Sequence, residues 1–248
     1  MHYSYTYAFF IALLNIPFHD AFSASLMGFS LNKVKLRQHE SSPWTYTASV
    51  DPDIEQPLAL PKHNFLATQV WPSAREASFF LENHVDKSWK CCELGCGPGL
   101  PSLTIAHAGC KSVIATDVDE IALEMVKKAA EEQQLINLRT MSVDLTGQPG
   151  VLDEIQANLY IMSDVFENSQ VAFGAAHITI KALDSGSRCW VFAQSDRAQR
   201  NFYVDKLREL GAEKYGSLDW RLSNCIEPEG PDTLLLIDLD EINVDYGC

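Results

Sequence analysis

From residue 73 onward, apolar positions recur in two alternating rhythms. Over 73–84 they fall at helical spacing (Ala77, Phe80, Leu81, then Val85), and Ser73-Ala74-Arg75-Glu76 reads as a capping box opening that helix. Short apolar runs of strand length follow at 89–94, 112–116, 138–143, 159–163 and 188–193. Between them lie amphipathic stretches at 100–108, 120–134, 170–183 and 201–210, the last closed by Gly211. Strands separated by helices of this length build βαβ units, hence a parallel sheet covered on both faces. The final helix is followed by two strand-like pieces, 215–220 and 233–238, with no helix between them. Such a pair predicts an antiparallel hairpin. The predicted fold class is α/β: a doubly wound, mostly parallel seven-stranded sheet with a C-terminal antiparallel hairpin.

The first seventy residues follow neither rhythm. Residues 8–14 (AFFIALL) are unbroken apolar, shorter than the ~20 residues a bilayer span needs, so no stable membrane span is expected. The run suits a signal-peptide core, with Ala21-Phe22-Ser23 as a cleavage site, although no Lys or Arg precedes it. The stretch 22–39 then holds Lys33, Lys35, Arg37 and three serines but no acid, which is transit-peptide composition. Together they resemble the two-part plastid-targeting leader of algae with secondary plastids. Residues 1–40 are read as a targeting leader to an organelle, a plastid before a mitochondrion. A hydrophobic helix packed on a cytoplasmic protein is the alternative. Residues 41–70, rich in Pro, Ser and Thr over 41–61, read as an extended segment or hairpin, and 71–248 as the main domain.

Charge narrows the partners. With 19 basic residues against 33 acidic ones, the chain carries a net charge of −14, whereas nucleic-acid binders present a basic face to phosphates. Nucleic acid is therefore disfavoured and a basic protein or a small molecule is the easier partner; on the whole reading a protein substrate and a monomer are expected. The seven cysteines (91, 92, 96, 110, 189, 225 and 248) form no CxxC, and the seven histidines are scattered. No metal site is expected, and the cysteines read as buried small apolar residues in a reducing compartment.

The chemistry concentrates after the first strand of the alternating series, in Glu93-Leu94-Gly95-Cys96-Gly97-Pro98-Gly99. Glycines at alternate positions let the backbone turn tightly and approach a ligand. Dinucleotide sites use G-x-G-x-x-G before a helix N-terminus that faces a pyrophosphate. Here the third glycine comes one residue early. Glu93 also fits poorly beside a pyrophosphate but well beside a sulfonium and an α-amino group. The spacing favours S-adenosylmethionine as cofactor over NAD. Asp117, 22 residues after Gly95 at the end of the next strand, can accept hydrogen bonds from both ribose hydroxyls. Helix capping is its alternative role, with Asp119 the rival cap. Asp144 ends the third strand where an adenine amino group would lie; a surface turn is the alternative.

The segment ELGCGPGLPSL, the strand ATDVD and the later VDL resemble the class I, seven-strand methyltransferases, a Rossmann-like fold. With Val70-Trp71-Pro72-Ser73-Ala74 upstream, residues 63–240 resemble the small protein-lysine methyltransferases, which include enzymes acting on calmodulin, molecular chaperones and the electron-transfer flavoprotein β-subunit. The resemblance implies a donor site formed by Trp71, Glu93, Gly95, Cys96, Gly97, Gly99, Asp117, Val118, Asp144 and Leu145. It implies that Asp164 opens a D-x-x-Tyr/Phe motif at the acceptor end. Here that motif reads Asp164-Val165-Phe166-Glu167, with Glu167 in place of the aromatic residue that helps form the lysine channel.

Methyl transfer from a sulfonium is an in-line displacement, so the protein chiefly aligns the reactants and excludes water. A lysine acceptor, with a reference pKa of about 10.4, must first lose a proton. Asp164 is expected to orient the amine and Glu167 to assist or to mark a different acceptor. A small-molecule N- or O-methyltransferase of the same fold, and a non-catalytic donor- or partner-binding module, are the alternatives. Base methylation lacks its Asn/Asp-Pro-Pro-Tyr motif, since Ser163-Asp164-Val165-Phe166 stands there. An NAD oxidoreductase is the remaining outside reading.

Overall fold

The computed structural model describes residues 67, 69–146 and 154–222, together with the strand segments 25–26, 29–30, 34–39, 42–50 and 232–236. The apolar run 8–14, the cleavage site, and Cys225 and Cys248 lie outside them.

Before the main domain, β1 (Ser25–Leu26) pairs antiparallel with β2 (Phe29–Ser30). β3 (Val34–His39) pairs antiparallel with β4 (Ser42–Val50), with a register shift between Gln38 and His39. Pairing thus begins inside the stretch assigned to the leader.

The domain proper runs α1 (Pro72–His84), β5 (Lys90–Leu94), α2 (Leu100–His107), β6 (Ser112–Asp117), α3 (Glu120–Glu132) and β7 (Leu138–Ser142). It continues with β8 (Leu159–Ser163), α4 (Ser169–Asp184), β9 (Arg188–Ala193), α5 (Arg200–Glu209), β10 (Arg221–Leu222) and β11 (Asp232–Leu236). The sheet order is β10-β11-β9-β8-β5-β6-β7. Pairing from β7 through β6, β5 and β8 to β9 is parallel throughout. β11 lies antiparallel to β9, and β10 antiparallel to β11. From β5 the chain moves outward first to β6 and β7, then to β8 and β9 on the other side. The carboxyl ends of β5 and β8 therefore flank the switch point where such sheets bind ligands.

Period-two alternation explains the two-faced core. Cys91 of β5, Leu159 and Ile161 of β8, and Trp190 and Phe192 of β9 face α1 and α2, meeting Ala77, Phe80, Leu81 and Ile105. Their neighbours Cys92, Leu94, Tyr160, Met162, Cys189 and Val191 face α4 and α5, meeting Ala175, Ile178, Tyr203 and Leu207. Both faces are apolar because both are covered, as parallel strands require. Trp190, fully buried, packs edge-on to Phe80 at 5.4 Å and to Trp89 at 5.9 Å. On the other face, Tyr203 and Thr179 share a hydroxyl hydrogen bond of 2.8 Å that ties α5 to α4.

Two local readings change, and one position gains a role. The first helix begins at Pro72, with Trp71 rather than Ser73 at the N-cap and no side-chain cap. Proline suits the first turn because the N–H it lacks would be unpaired there. Ser73 is instead buried, its hydroxyl without a hydrogen-bond partner among the described residues. The expected strand over 215–220 is absent. Ala212–Tyr215 forms a 3-10 turn, 217–220 is irregular, and strand pairing starts only at Arg221. Gly174, unremarked in the sequence, lies inside α4 where an added Cβ would come within 1.7 Å of the Leu145 carbonyl oxygen. The missing side chain lets α4 rest directly on the segment after β7.

Among the described residues no helix is long and apolar enough to cross a membrane, and no group of three or more His, Cys, Asp or Glu could hold a metal. Cys91, Cys92, Cys96, Cys110 and Cys189 are buried free thiols.

Candidate functional site

A crevice of about 230 Å³ opens at the switch point, between the loop after β5 and the ends of β6, β7 and β8. Its floor is the glycine loop. Gly95, Gly97 and Gly99 have φ of +68°, +50° and +72°, a left-handed conformation that costs a side-chain-bearing residue energy and glycine little. Gly95 and Gly99 also lack room for a side chain, and Gly97 has little. A Cβ on Gly95 would stand 2.6 Å from the Val165 Cγ1, and one on Gly99 2.5 Å from the Val126 Cγ2. Gly97 lies under Ala67, whose carbonyl oxygen would be 3.2 Å from its Cβ. From outside, the buried Thr45 hydroxyl of β4 donates to the Pro98 carbonyl at 2.8 Å, fastening the N-terminal hairpin to the loop.

Asp117 closes one end of the crevice. Its Oδ2 accepts from the Gly97 N–H at 2.9 Å and its Oδ1 from the Asp119 N–H at 2.9 Å, so it braces the loop while lining the crevice. Burial raises its pKa, against the opposing pull of those N–H groups. Helix α3 is capped by its rival Asp119, which accepts from the N–H groups of Ile121 and Ala122. Asp144 also lines the crevice, but its Oδ1 is engaged by the N–H and hydroxyl of Thr146 in a local turn. The surface-turn role and the cavity position thus coexist. Val118 projects into the opening, 57% exposed. Cys96 and Leu145 line the buried wall.

Glu93 departs from its expected place. It does not line the crevice; its Oε2 accepts from the Ser102 N–H at 3.0 Å and the Ser102 hydroxyl at 2.6 Å, under the loop. The physical reason is the start of α2. Gly99 at its N-cap offers no side chain and Pro101 no N–H, so a strand-end carboxylate supplies the acceptor that Ser102 needs. Burial is complete and pushes the Glu93 pKa up to about 8, with the nearby Asp117 charge adding to it. Gly99 likewise serves packing against α3 rather than the crevice wall.

At the opposite end stand Trp71, Asp164, Glu167 and Arg197. Asp164 adopts φ +55°, a conformation rare outside glycine and concentrated at functional sites. Its Oδ1 accepts from the Gln194 N–H at 3.0 Å and lies 3.2 Å from the Arg197 Nε. Its Oδ2 is buried without a hydrogen-bond partner among the described residues. Asn168, rather than Asp164, caps α4 by accepting from the Val171 N–H. Glu167 is exposed at the mouth, its carboxylate 3.5 Å from the Asn168 amide nitrogen. Arg197 stacks over the Trp71 ring at 4.4 Å. Sequence reasoning missed Arg197 and Ser163. Arg197 follows β9 at a distance that no local periodicity connects to Asp164, and an isolated arginine in a loop carries no motif.

The residues fit a nucleoside methyl donor. Backbone and carboxylate acceptors cluster at one end, and the tight glycine floor excludes side chains. Of the charged groups lining the crevice among the described residues, four are carboxylates and one is a guanidinium, an environment that favours a cationic ligand.

Residues 92–185 match the family model described as "Methyltransferase domain". A ribosomal protein L11 methyltransferase of Thermoanaerobacter sp. (strain X514) is 37% identical over 87 residues, 35% of this chain and 28% of that protein. One from Thermotoga neapolitana is 28% identical over 92 residues, 37% of this chain and 35% of that protein. The match therefore spans roughly a third of these relatives' length. Among solved structures, an rRNA methylase from Streptococcus thermophilus superposes with TM-score 0.51 at 15% identity, covering 68% of this chain and 98% of that one. A Streptococcus mutans protein crystallised in complex with SAH gives the same TM-score of 0.51, 15% identity and coverage of 68% and 98%. The fold is that of the class I methyltransferases.

Proposed function

We propose that this class I methyltransferase fold uses S-adenosylmethionine to methylate an amine, on a lysine side chain of a protein. The observation that carries the reading is the two-ended crevice: a glycine floor braced by Asp117 at one end, and a buried carboxylate with a free oxygen, Asp164, at the other. The family match over 92–185 and the ribosomal-protein methyltransferases among the relatives support it.

When bound, the donor supplies an electrophilic methyl group on a sulfonium. The residues of the chain do the rest. Asp117 holds the ribose hydroxyls, the loop from Gly95 to Gly97 carries the methionyl portion, and Trp71 with the buried wall keeps water out. Asp164 accepts an N–H of the incoming amine on Oδ2, and Glu167 at the mouth draws a cationic side chain toward the opening. A small-molecule amine would meet the same groups and is the second reading. The acidic chain and the exposed mouth favour a protein.

The test is incubation with radiolabelled donor and fractionated extract. A labelled protein band that disappears with Gly97→Arg is the expected result; label confined to small solutes would redirect the reading. Asp164→Asn should lower turnover while donor binding persists, and unchanged turnover would remove Asp164 from its role. We also propose that residues 1–40 direct the chain to a plastid. A fluorescent fusion of residues 1–45 should label that organelle, and a diffuse signal would refute the targeting.

A further inference from the structure

Asp164 and Arg197 together raise a problem of charge. The Asp164 side chain is fully buried, whereas Arg197 is 17% exposed and contacts Asp164 Oδ1 at 3.2 Å. The guanidinium is held from its other side by the Trp71 ring, 4.4 Å away, a cation–π contact of roughly 0.5–2 kcal/mol. Arg197 thus bridges the residue preceding α1 and the residue following β8. Gln194 donates to the same Oδ1. The other carboxylate oxygen, Oδ2, has no hydrogen-bond partner among the described residues, and neither has the hydroxyl of the buried Ser163, the preceding residue, which also lines the crevice.

A buried acceptor left unpaired costs about 1–3 kcal/mol, so a ligand with an N–H to give is favoured there. A bare buried carboxylate would hold that ligand as an ammonium, which has no lone pair with which to attack. Arg197 changes the balance. The carboxylate's countercharge is already present, so an ammonium meets a like charge nearby. A neutral amine still donates to Oδ2 and keeps its lone pair.

We propose that Arg197 is the specificity-determining residue of the acceptor end, setting the Asp164 side of the crevice to receive an amine in its neutral rather than its ammonium form. This rests on the amine-methylation reading above. The balance of the step is complete without a further reagent. The ammonium, gathered at the exposed Glu167, leaves one proton with water on entering. The neutral nitrogen's lone pair forms the N–C bond. The C–S bond breaks with its electron pair remaining on sulfur, and the methylated product leaves as an ammonium, so one proton in all is released to water.

Two donor analogues test this without a known acceptor. S-adenosylhomocysteine presents nothing at the methyl position, whereas sinefungin carries an amine there, protonated at neutral pH. Both are titrated calorimetrically into the full chain and its variants at one pH. Arg197→Met should raise the preference for sinefungin over S-adenosylhomocysteine about tenfold relative to wild type, because close charge pairs couple by at least that factor. Arg197→Lys should keep the wild-type preference, and Asp164→Asn should lower it. An unchanged or lower preference in Arg197→Met overturns the proposal. If Arg197→Met does not fold, Asp164→Asn decides, and an unchanged preference there overturns it equally. Failure of wild type to bind S-adenosylhomocysteine would instead refute the donor reading on which the proposal stands.

Discussion

Replacing Glu93 by glutamine should stabilise the protein at alkaline pH while weakening its hold on a cationic donor. Glu93 is completely buried and its pKa is pushed from 4.5 to about 8, chiefly by burial. The folded state therefore holds a proton that the unfolded state releases near pH 4.5. Its contribution to stability is fully present below that value and is lost as pH rises through about 8. One proton held by the folded chain alone makes the wild type lose up to about 1.4 kcal/mol of stability per pH unit across that window. The total is on the order of 5 kcal/mol. Glutamine cannot ionise, yet its amide oxygen can still accept from the Ser102 N–H that Glu93 now engages. Urea denaturation of both proteins from about pH 4.5 to about pH 9 measures the effect. The difference between them should grow with pH in favour of the variant; Asp117, also raised by burial, is common to both and largely drops out. Near neutral pH a cation bound above the loop should drive Glu93 to ionise. Calorimetry in buffers of different ionisation enthalpy should then show proton release in the wild type but less in the variant. Parallel stability curves would refute the burial argument.

Gly174→Ala should displace the segment at Leu145, because the new Cβ would meet backbone 1.7 Å away. Donor-analogue affinity should fall at least tenfold with loss of thermal stability, and wild-type values for both would refute the contact. Asp117→Asn should weaken S-adenosylhomocysteine binding by roughly ten- to a hundredfold, since the amide must turn an N–H toward one of the two backbone donors it replaces. Binding within twofold of wild type would exclude Asp117 from the nucleoside end. Trp190→Ala empties a fully buried site between β9 and α1 and should cost about 3–5 kcal/mol. A urea midpoint unchanged from wild type would refute its place in the core.

Sequence alone was enough for the five parallel strands, their intervening helices and the tight glycine turn after the first of them. These features are written in local pattern. Alternation such as Cys189 to Ala193, apolar on both faces, marks a covered strand, and glycines at 95, 97 and 99 mark a tight turn. Asp117 was legible because a strand end is a position that spacing can count. The direction of a side chain at such an end was not. Glu93 turns under the loop because α2, starting on a glycine and a proline, lacks an acceptor for Ser102, and that requirement appears only when helix and strand are packed. Gly174 is an unmarked helical glycine until the Leu145 carbonyl is laid against it. Arg197 and Trp71, separated by most of the domain, become one stacked pair closing on Asp164 only in three dimensions. Periodicity reports what each element needs to bury. Which charges meet across the crevice depends on the order in which strands enter the sheet, and that is decided by tertiary packing.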